Sequence, residues 1–147
     1  MAEETINVKL VTPTRKLYEA TATAVVAPGQ EGQFGVMAGH DPWFVALGMG
    51  PLVINKPGGG EEHFFLNRGF CQIDENQVII LAEVGEFAHE IDVERAQAAR
   101  KRAEDRLKIA FRDETIDQLR AEAALRRALY RLDLAEIVKT KGFHPPK

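Results

Sequence analysis

Between Asp92 and Lys141 the chain contains neither glycine nor proline, whereas eleven of its twelve glycines and five of its seven prolines come earlier. Both residues punctuate strands and turns, and both are costly inside a helix. The 147-residue chain is therefore read as an α+β protein in two parts: an antiparallel β-sandwich over residues 1–90, then an antiparallel two-helix hairpin over residues 91–147. Charge divides at the same place. Residues 1–91 hold 5 Lys/Arg against 12 Asp/Glu, and residues 92–147 hold 14 against 10. An acidic part joined to a basic one points to different partners for each.

Strand signals fill the first part. In "INVKLVT" Ile6, Val8 and Leu10 alternate with polar Asn7 and Lys9, and "ATATAVVA" alternates before ending apolar. "PLVIN" and "EEHFFLN" flank "KPGGG", while "GFCQID" and "QVIILAEV" flank "ENQ"; both read as strand pairs joined by turns. Pro51 is placed at the start of its strand, where a missing N–H is tolerated.

Helix signals fill the second part. Asp92 caps a first helix whose small apolar positions Ala96, Ala99, Ala103 and Leu107 recur at helical spacing. "RDETID" interrupts the pattern, and Thr115 with Gln118 forms a capping-box signature for a second helix. Leu125, Leu129 and Leu132 give that helix an apolar stripe continuing toward Ile137, and Gly142 with Pro145 and Pro146 ends it. The short connection predicts antiparallel helices. Alanine dominates both, and a buried methyl contributes only about 0.8 kcal/mol against roughly 1.5–3 for leucine. Such a hairpin can be a rigid unit, or one that detaches and redocks.

The glycine-rich run "PGQEGQFGVMAGHDP", residues 28–42, raises the possibility of a phosphate cradle. No Gly-Lys-Ser/Thr follows it, and the next segment, "WFVALGMGPLVI", reads as strand rather than helix. The mismatches favour tight turns in which each glycine supplies a positive φ. The single cysteine, Cys71, excludes an internal disulfide and lies in a strand-like stretch, so it is read as a core residue. His40, His63, His89 and His144 show no metal-ligand spacing, so no metal site and no catalytic residue is expected. Glu61 and Glu62 sit beside a turn and are read as solvated. The basic helices are interleaved with acids and the whole chain is acidic, which argues against nucleic acid. "MAEETINVKL" is no signal peptide and no apolar run reaches membrane-spanning length, so a soluble, intracellular chain is expected.

Three stretches carry a resemblance: "VVAPGQEGQFGVMAGHDP", "VIILAEVGEFAHEIDVERAQAARKRAEDRL" and "AEAALRRALYRLDLAEI". In this order they resemble the epsilon subunit of bacterial F-type ATP synthase, over nearly the whole chain. The chain departs from the family in having Ala38-Gly39-His40 for Pro-Gly-His and Arg68-Gly69 for Gly-Gly.

The resemblance implies a non-catalytic rotor subunit. Its sandwich would join the gamma subunit to the c-ring, and its hairpin would regulate ATP hydrolysis by reaching the alpha and beta subunits of the catalytic head. It implies a peripheral position on the cytoplasmic face of the bacterial plasma membrane, held there only through the complex. The rotor-facing loop falls on Gln33, and His40 lies in the same motif, as a hydrogen-bonded turn histidine or a direct partner contact. The motif I/L-D-x-x-R-A falls on Ile91, Asp92, Arg95 and Ala96, preceded by an acidic position at Glu86. In this family the motif contributes to binding ATP as a regulatory ligand, with no cofactor required. By composition alone the same residues are a helix start. Second-helix arginines of the site fall on Arg127 and Arg131, which share a face at i,i+4 and suit a triphosphate or simply form a solvated basic face. Arg126, Arg127 and Arg131 form the basic stretch implied to meet acidic segments of the beta subunit. The rival reading is a generic adaptor, a β-sandwich with a helical arm that binds some other assembly.

Overall fold

The structure, a computed structural model, describes residues 4–141. Two compact units meet between Phe87 and Ala88. Gly142, His144, Pro145 and Pro146 lie outside the described residues.

The first unit is all β. Its strands are β1 (Ile6–Val11), β2 (Lys16–Ala22), β3 (Ala24–Gly29), β4 (Gly32–Met37), β5 (Trp43–Asn55), β6 (Glu61–Asp74) and β7 (Gln77–Phe87). They form one hydrogen-bonded sheet in the order β2-β1-β7-β6-β5-β3-β4. Neighbours are antiparallel except β1 and β7, which are parallel. One core cluster draws buried side chains from all seven strands, so the sheet folds back on itself as the expected sandwich.

The fold line runs across the three central strands. Gly48 with Arg68, and Arg68 with Glu83, drop out of the ladders between these strands, and the register is the same on either side of the lapse. The buried face nevertheless changes there. On β5 the buried set changes from Leu47 to Leu52 and Ile54; on β6 it changes from Phe64 and Leu66 to Cys71 and Ile73. Each long strand thus feeds one core from both of its halves. Arg68 (φ 63) and Gly69 (φ 138) have positive φ at the lapse in β6, and a Cβ on Gly69 would stand 1.9 Å from the Leu81 carbonyl oxygen. Only glycine fits there.

Several sequence expectations change in this unit. "EEHFFLN" and "GFCQID" are one strand, not two. Pro51 sits inside β5, opposite Phe65, rather than at a strand start. "ATATAVVA" is split between β2 and β3. The "KPGGG" and "ENQ" turns are present; Glu75 and Asn76 both take positive φ between Asp74 and Gln77. Of the glycines in residues 28–42, Gly32 and Gly39 have positive φ, but Gly29 and Gly35 are extended strand residues. Glu62 is not solvated. It faces the interior at 4 % exposure, with Lys56 Nζ 2.8 Å from its Oε1, while the neighbouring Glu61 meets His63.

The second unit begins with a 3-10 turn (Ala88–Glu90), followed by α1 (Val93–Ile109) and α2 (Gln118–Thr140). Asp92 caps α1 as expected, its Oδ1 accepting from the Arg95 N–H at 3.0 Å. The cap of α2 is Asp117, which accepts from the Arg120 N–H at 3.1 Å. Thr115 instead donates its hydroxyl to Asp113 in the intervening turn, so the predicted capping box does not form. Helix α2 returns to pack on α1 and reaches the 3-10 turn, which makes the pair antiparallel. The seam is built of Ala96, Ala103, Ala121, Ala128 and Leu134. Leu129 and Ile137, expected in the apolar stripe, are exposed.

Candidate functional site

Aromatic side chains gather in two groups on the sandwich. Gln33 is exposed on β4, opposite Pro28. Its neighbour Phe34 meets Trp43 edge-on at 5.4 Å between ring centroids, and His40 stacks on the same indole at 5.9 Å. The His40 backbone N–H donates to the Met37 carbonyl at 3.2 Å, closing a turn, and its Nδ1 lies 2.6 Å from the Asp41 carbonyl, to which it donates. Gln33 and His40 therefore border one cluster through Phe34 and Trp43. A shallow groove of about 410 Å³ runs past Gln33, Phe34, Trp43 and Phe44.

A second group lies on the opposite, outer face of β5, since Phe44 follows Trp43 in the strand. Phe44 stacks on Phe70 at 5.2 Å, and Phe70 pairs with Leu81 on β7. Phe44 is 62 % exposed, and Phe70 and Leu81 are each 49 % exposed. Contiguous exposed apolar side chains of this kind mark an interaction surface. Phe44, Phe70 and Leu81 were absent from the sequence-based site residues. The signal was alternation: each lies out of phase with buried neighbours, Leu47 on β5, Cys71 and Ile73 on β6, and Ile80 and Ala82 on β7.

The hairpin residues divide between its two helices. Ile91 is half-buried, and its N–H donates to the Ala88 carbonyl at 3.3 Å. Asp92 is occupied as the cap, Arg95 is exposed in the first turn, and Ala96 is buried in the seam. On α2, Arg127 and Arg131 are half-buried and Arg126 is exposed. Arg131 lies about 20 Å along α2, and the first turn of α1 lies at a similar height from the connecting turn, at 1.5 Å per residue. The antiparallel course therefore brings Arg131 level with Arg95 and Ala96, with Arg127 one turn nearer the tip. Guanidinium groups at one end of a hairpin could hold a polyphosphate through charge-assisted hydrogen bonds. Glu86 is half-buried on β7 of the sandwich unit, opposite Phe65.

Burial pushes the Cys71 thiol up to about 12, and the side chain sits in the core, so it is no nucleophile. Among the described residues no cluster of His, Cys, Asp and Glu could hold a metal ion, and no helix is long and apolar enough to cross a membrane.

Comparison with known proteins places both units. Residues 5–88 match the β-sandwich domain of the ATP synthase delta/epsilon chain, and residues 89–136 match its long α-helix domain. The chain belongs to the ATP synthase delta/epsilon family. Within that family it is similar to the ATP synthase epsilon chain of Desulforapulum autotrophicum, at 44 % identity over 90 % of this chain and 97 % of that one. It is similar also to the ATP synthase epsilon chain of Syntrophomonas wolfei, at 41 % identity over 92 % of this chain and 98 % of that one. The fold recurs in a cryo-EM structure of Euglena gracilis mitochondrial ATP synthase containing OSCP, F1 and the c-ring. There the TM-score is 0.76 at 22 % identity, covering 93 % of this chain and 84 % of that one. Family membership accounts for the order of parts, a sandwich and then a helical hairpin.

Proposed function

We propose that this epsilon-type chain is a non-catalytic rotor subunit of the proton-translocating ATP synthase, and that the aromatic outer face of its sandwich couples the c-ring to gamma. The observation that carries the reading is the exposed Phe44–Phe70–Leu81 surface, with the Phe34–Trp43 cluster that Gln33 and His40 border at the neighbouring rim. A face of this kind is expensive to leave in water and is stabilised by a protein partner. The chain would act as a peripheral component at the cytoplasmic face of the membrane, held there through the complex.

The hairpin would be the regulatory part. Its extended form would bring Arg126, Arg127 and Arg131 against acidic segments of the beta subunits and stall hydrolysis; its folded form would offer Arg95, Arg127 and Arg131, with Asp92, to ATP. The two states then compete for one set of cations, and ATP shifts the population only by its preference for the folded form.

Complexes reconstituted with Phe44→Ser/Phe70→Ser should lose proton-driven ATP synthesis, while those with Arg126, Arg127 and Arg131 all changed to Gln should hydrolyse ATP faster than wild type. Full synthesis by the first and unchanged hydrolysis by the second would remove the coupling and the inhibitory roles respectively. In the isolated chain, Arg127→Ala should weaken ATP binding about ten- to a hundredfold by calorimetry. Co-purification discriminates the adaptor reading, which predicts no ATP synthase chain in the eluate.

A further inference from the structure

The sandwich carries a second concavity beside its aromatic face. A basin of about 620 Å³ opens along the fold line, floored by Leu47 and walled by Val11, Phe70 and Leu81, with Arg68 and Glu83 on its lip. Two features single out Arg68. It is a non-glycine residue at φ 63, a conformation that costs a bulky side chain free energy and that glycine adopts freely. It is also exposed and makes no hydrogen bond or ion pair among the described residues.

Charge on the rest of the unit sharpens the point. The acidic sandwich has five cationic side chains. Lys16 pairs with Glu19, Lys56 pairs with Glu62, and Lys9 stands across the strand from Glu19. The two that remain, Arg15 and Arg68, flank the basin: Arg68 on its lip, and Arg15 through the turn in which the Thr12 N–H donates to the Arg15 carbonyl at 2.9 Å, with Thr12 and Pro13 lining the wall. An apolar floor with the Arg68 guanidinium on its lip fits a group that is apolar at one end and singly anionic at the other. Glu83 on the same lip disfavours a multiply charged anion such as a free polyphosphate.

We infer that this basin receives a rotor-chain segment in which a bulky apolar side chain is followed by a carboxylate, and that Arg68 is the specificity-determining residue that binds the carboxylate. The inference rests on the docking role proposed above for the adjoining aromatic face. The guanidinium offers a paired, planar set of donors that matches a carboxylate, and a docked apolar side chain would exclude water from the pair. The positive φ at Arg68 is a cost that a role in binding would offset.

The test uses full-length chains bound to an ATP synthase reconstituted from its purified subunits without this one, with affinity read by titration. Arg68→Gly relaxes the backbone, so the isolated variant should melt no lower than wild type. Its affinity should nevertheless fall about tenfold or more, as expected for a lost charge-assisted hydrogen bond. Arg68→Glu should fall further, and added salt should weaken wild type more than Arg68→Gly. Phe44→Ser/Phe70→Ser serves as the reference for the docking face. If Arg68→Gly binds as wild type does while the Phe44→Ser/Phe70→Ser variant does not, the role given to Arg68 is overturned and the docking face stands. If both bind as wild type does, the docking face falls and the inference with it.

Discussion

Ala128→Gly tests whether the hairpin is held by little more than methyl groups. The seam between α1 and α2 consists of Ala96, Ala103, Ala121 and Ala128 with Leu134. At about 0.8 kcal/mol per buried methyl the four alanines contribute about 3 kcal/mol, and Leu134 roughly 2 more. These are upper values, because the detached helices would bury part of that surface already. Ala128 is 2 % exposed, and replacing it by glycine removes one seam methyl; the backbone penalty of glycine within a helix falls equally on the docked and opened forms, whose helices are both intact. The lost methyl amounts to about 0.8 kcal/mol, close to a fourfold rise in the population of the opened hairpin. Native-state hydrogen exchange on the full chain reads this, since amides protected only by docking of α2 exchange through that opening. Those amides should exchange about fourfold faster, with those of β5 and β6 unchanged. Unchanged α2 exchange would mean that the seam does not hold the hairpin. Equal acceleration in β5 and β6 would mean that both units open together.

Two further substitutions examine the sandwich. Gly69→Ala forces a Cβ into the Leu81 carbonyl and should cost more than about 3 kcal/mol, lowering Tm by on the order of 10 °C or more. Gly58→Ala, at φ +80 with nothing within 4 Å, should cost only about 1–2 kcal/mol, so equal melting temperatures would refute the steric argument. Lys56→Met strands the buried Glu62 carboxylate and should cost about 2 kcal/mol, a value already reduced for the exposure of the lysine; Lys56→Met/Glu62→Gln should recover much of it. Wild type should lose stability in alkali. The hydrogen bond to Glu62 raises Lys56 above its ordinary 10.5, and burial, then the Glu62 charge, raises Tyr18 above 10.0. Both groups bind protons more tightly when folded, so their stabilisation is complete below about pH 10 and is lost as pH rises through the folded values. A urea midpoint that stays level from pH 9 to 11 would contradict this.

The division of the chain, the sandwich, the hairpin and the cap at Asp92 were legible because each rests on short-range signals: glycine and proline placement, alternation, and a capping side chain. What was missed has one physical source in the sandwich. The buried face switches at Gly48, Arg68 and Glu83, where pairing lapses without a change of register, so a continuous strand looks like two strands with a break between them. The same switch hid the functional surface, since Phe44, Phe70 and Leu81 share a face only once the β5–β6–β7 register is known. Glu62 was misread for a related reason. Its place beside a turn suggests solvent, but parity with Phe64 and Leu66 turns it inward, where Lys56 covers it. On the hairpin, Asp117 outcompeted Thr115 for the cap because Asp113 engages the threonine hydroxyl.

The contrast between the two cores bears on how the proposed labour could be divided. The sandwich buries Phe64, Leu66, Leu52, Ile54, Ile73 and Ile80, together with residues from every other strand. Long strands β5 and β6 tie both layers into one hydrogen-bonded sheet, so deforming it would cost many burial terms at once. A part that transmits rotation benefits from such stiffness. The hairpin holds its seam with alanines and a single buried leucine, while Leu119 and Phe111 near its tip are 78 % and 80 % exposed. Alanine keeps each helix formed when the seam opens, because its helix propensity does not depend on the partner. Opening the hairpin therefore costs a few kcal/mol without melting the helices. That is the range in which a ligand of ordinary affinity can shift a population, since moving a two-state equilibrium from 1:99 to 99:1 takes about 5.5 kcal/mol of differential binding.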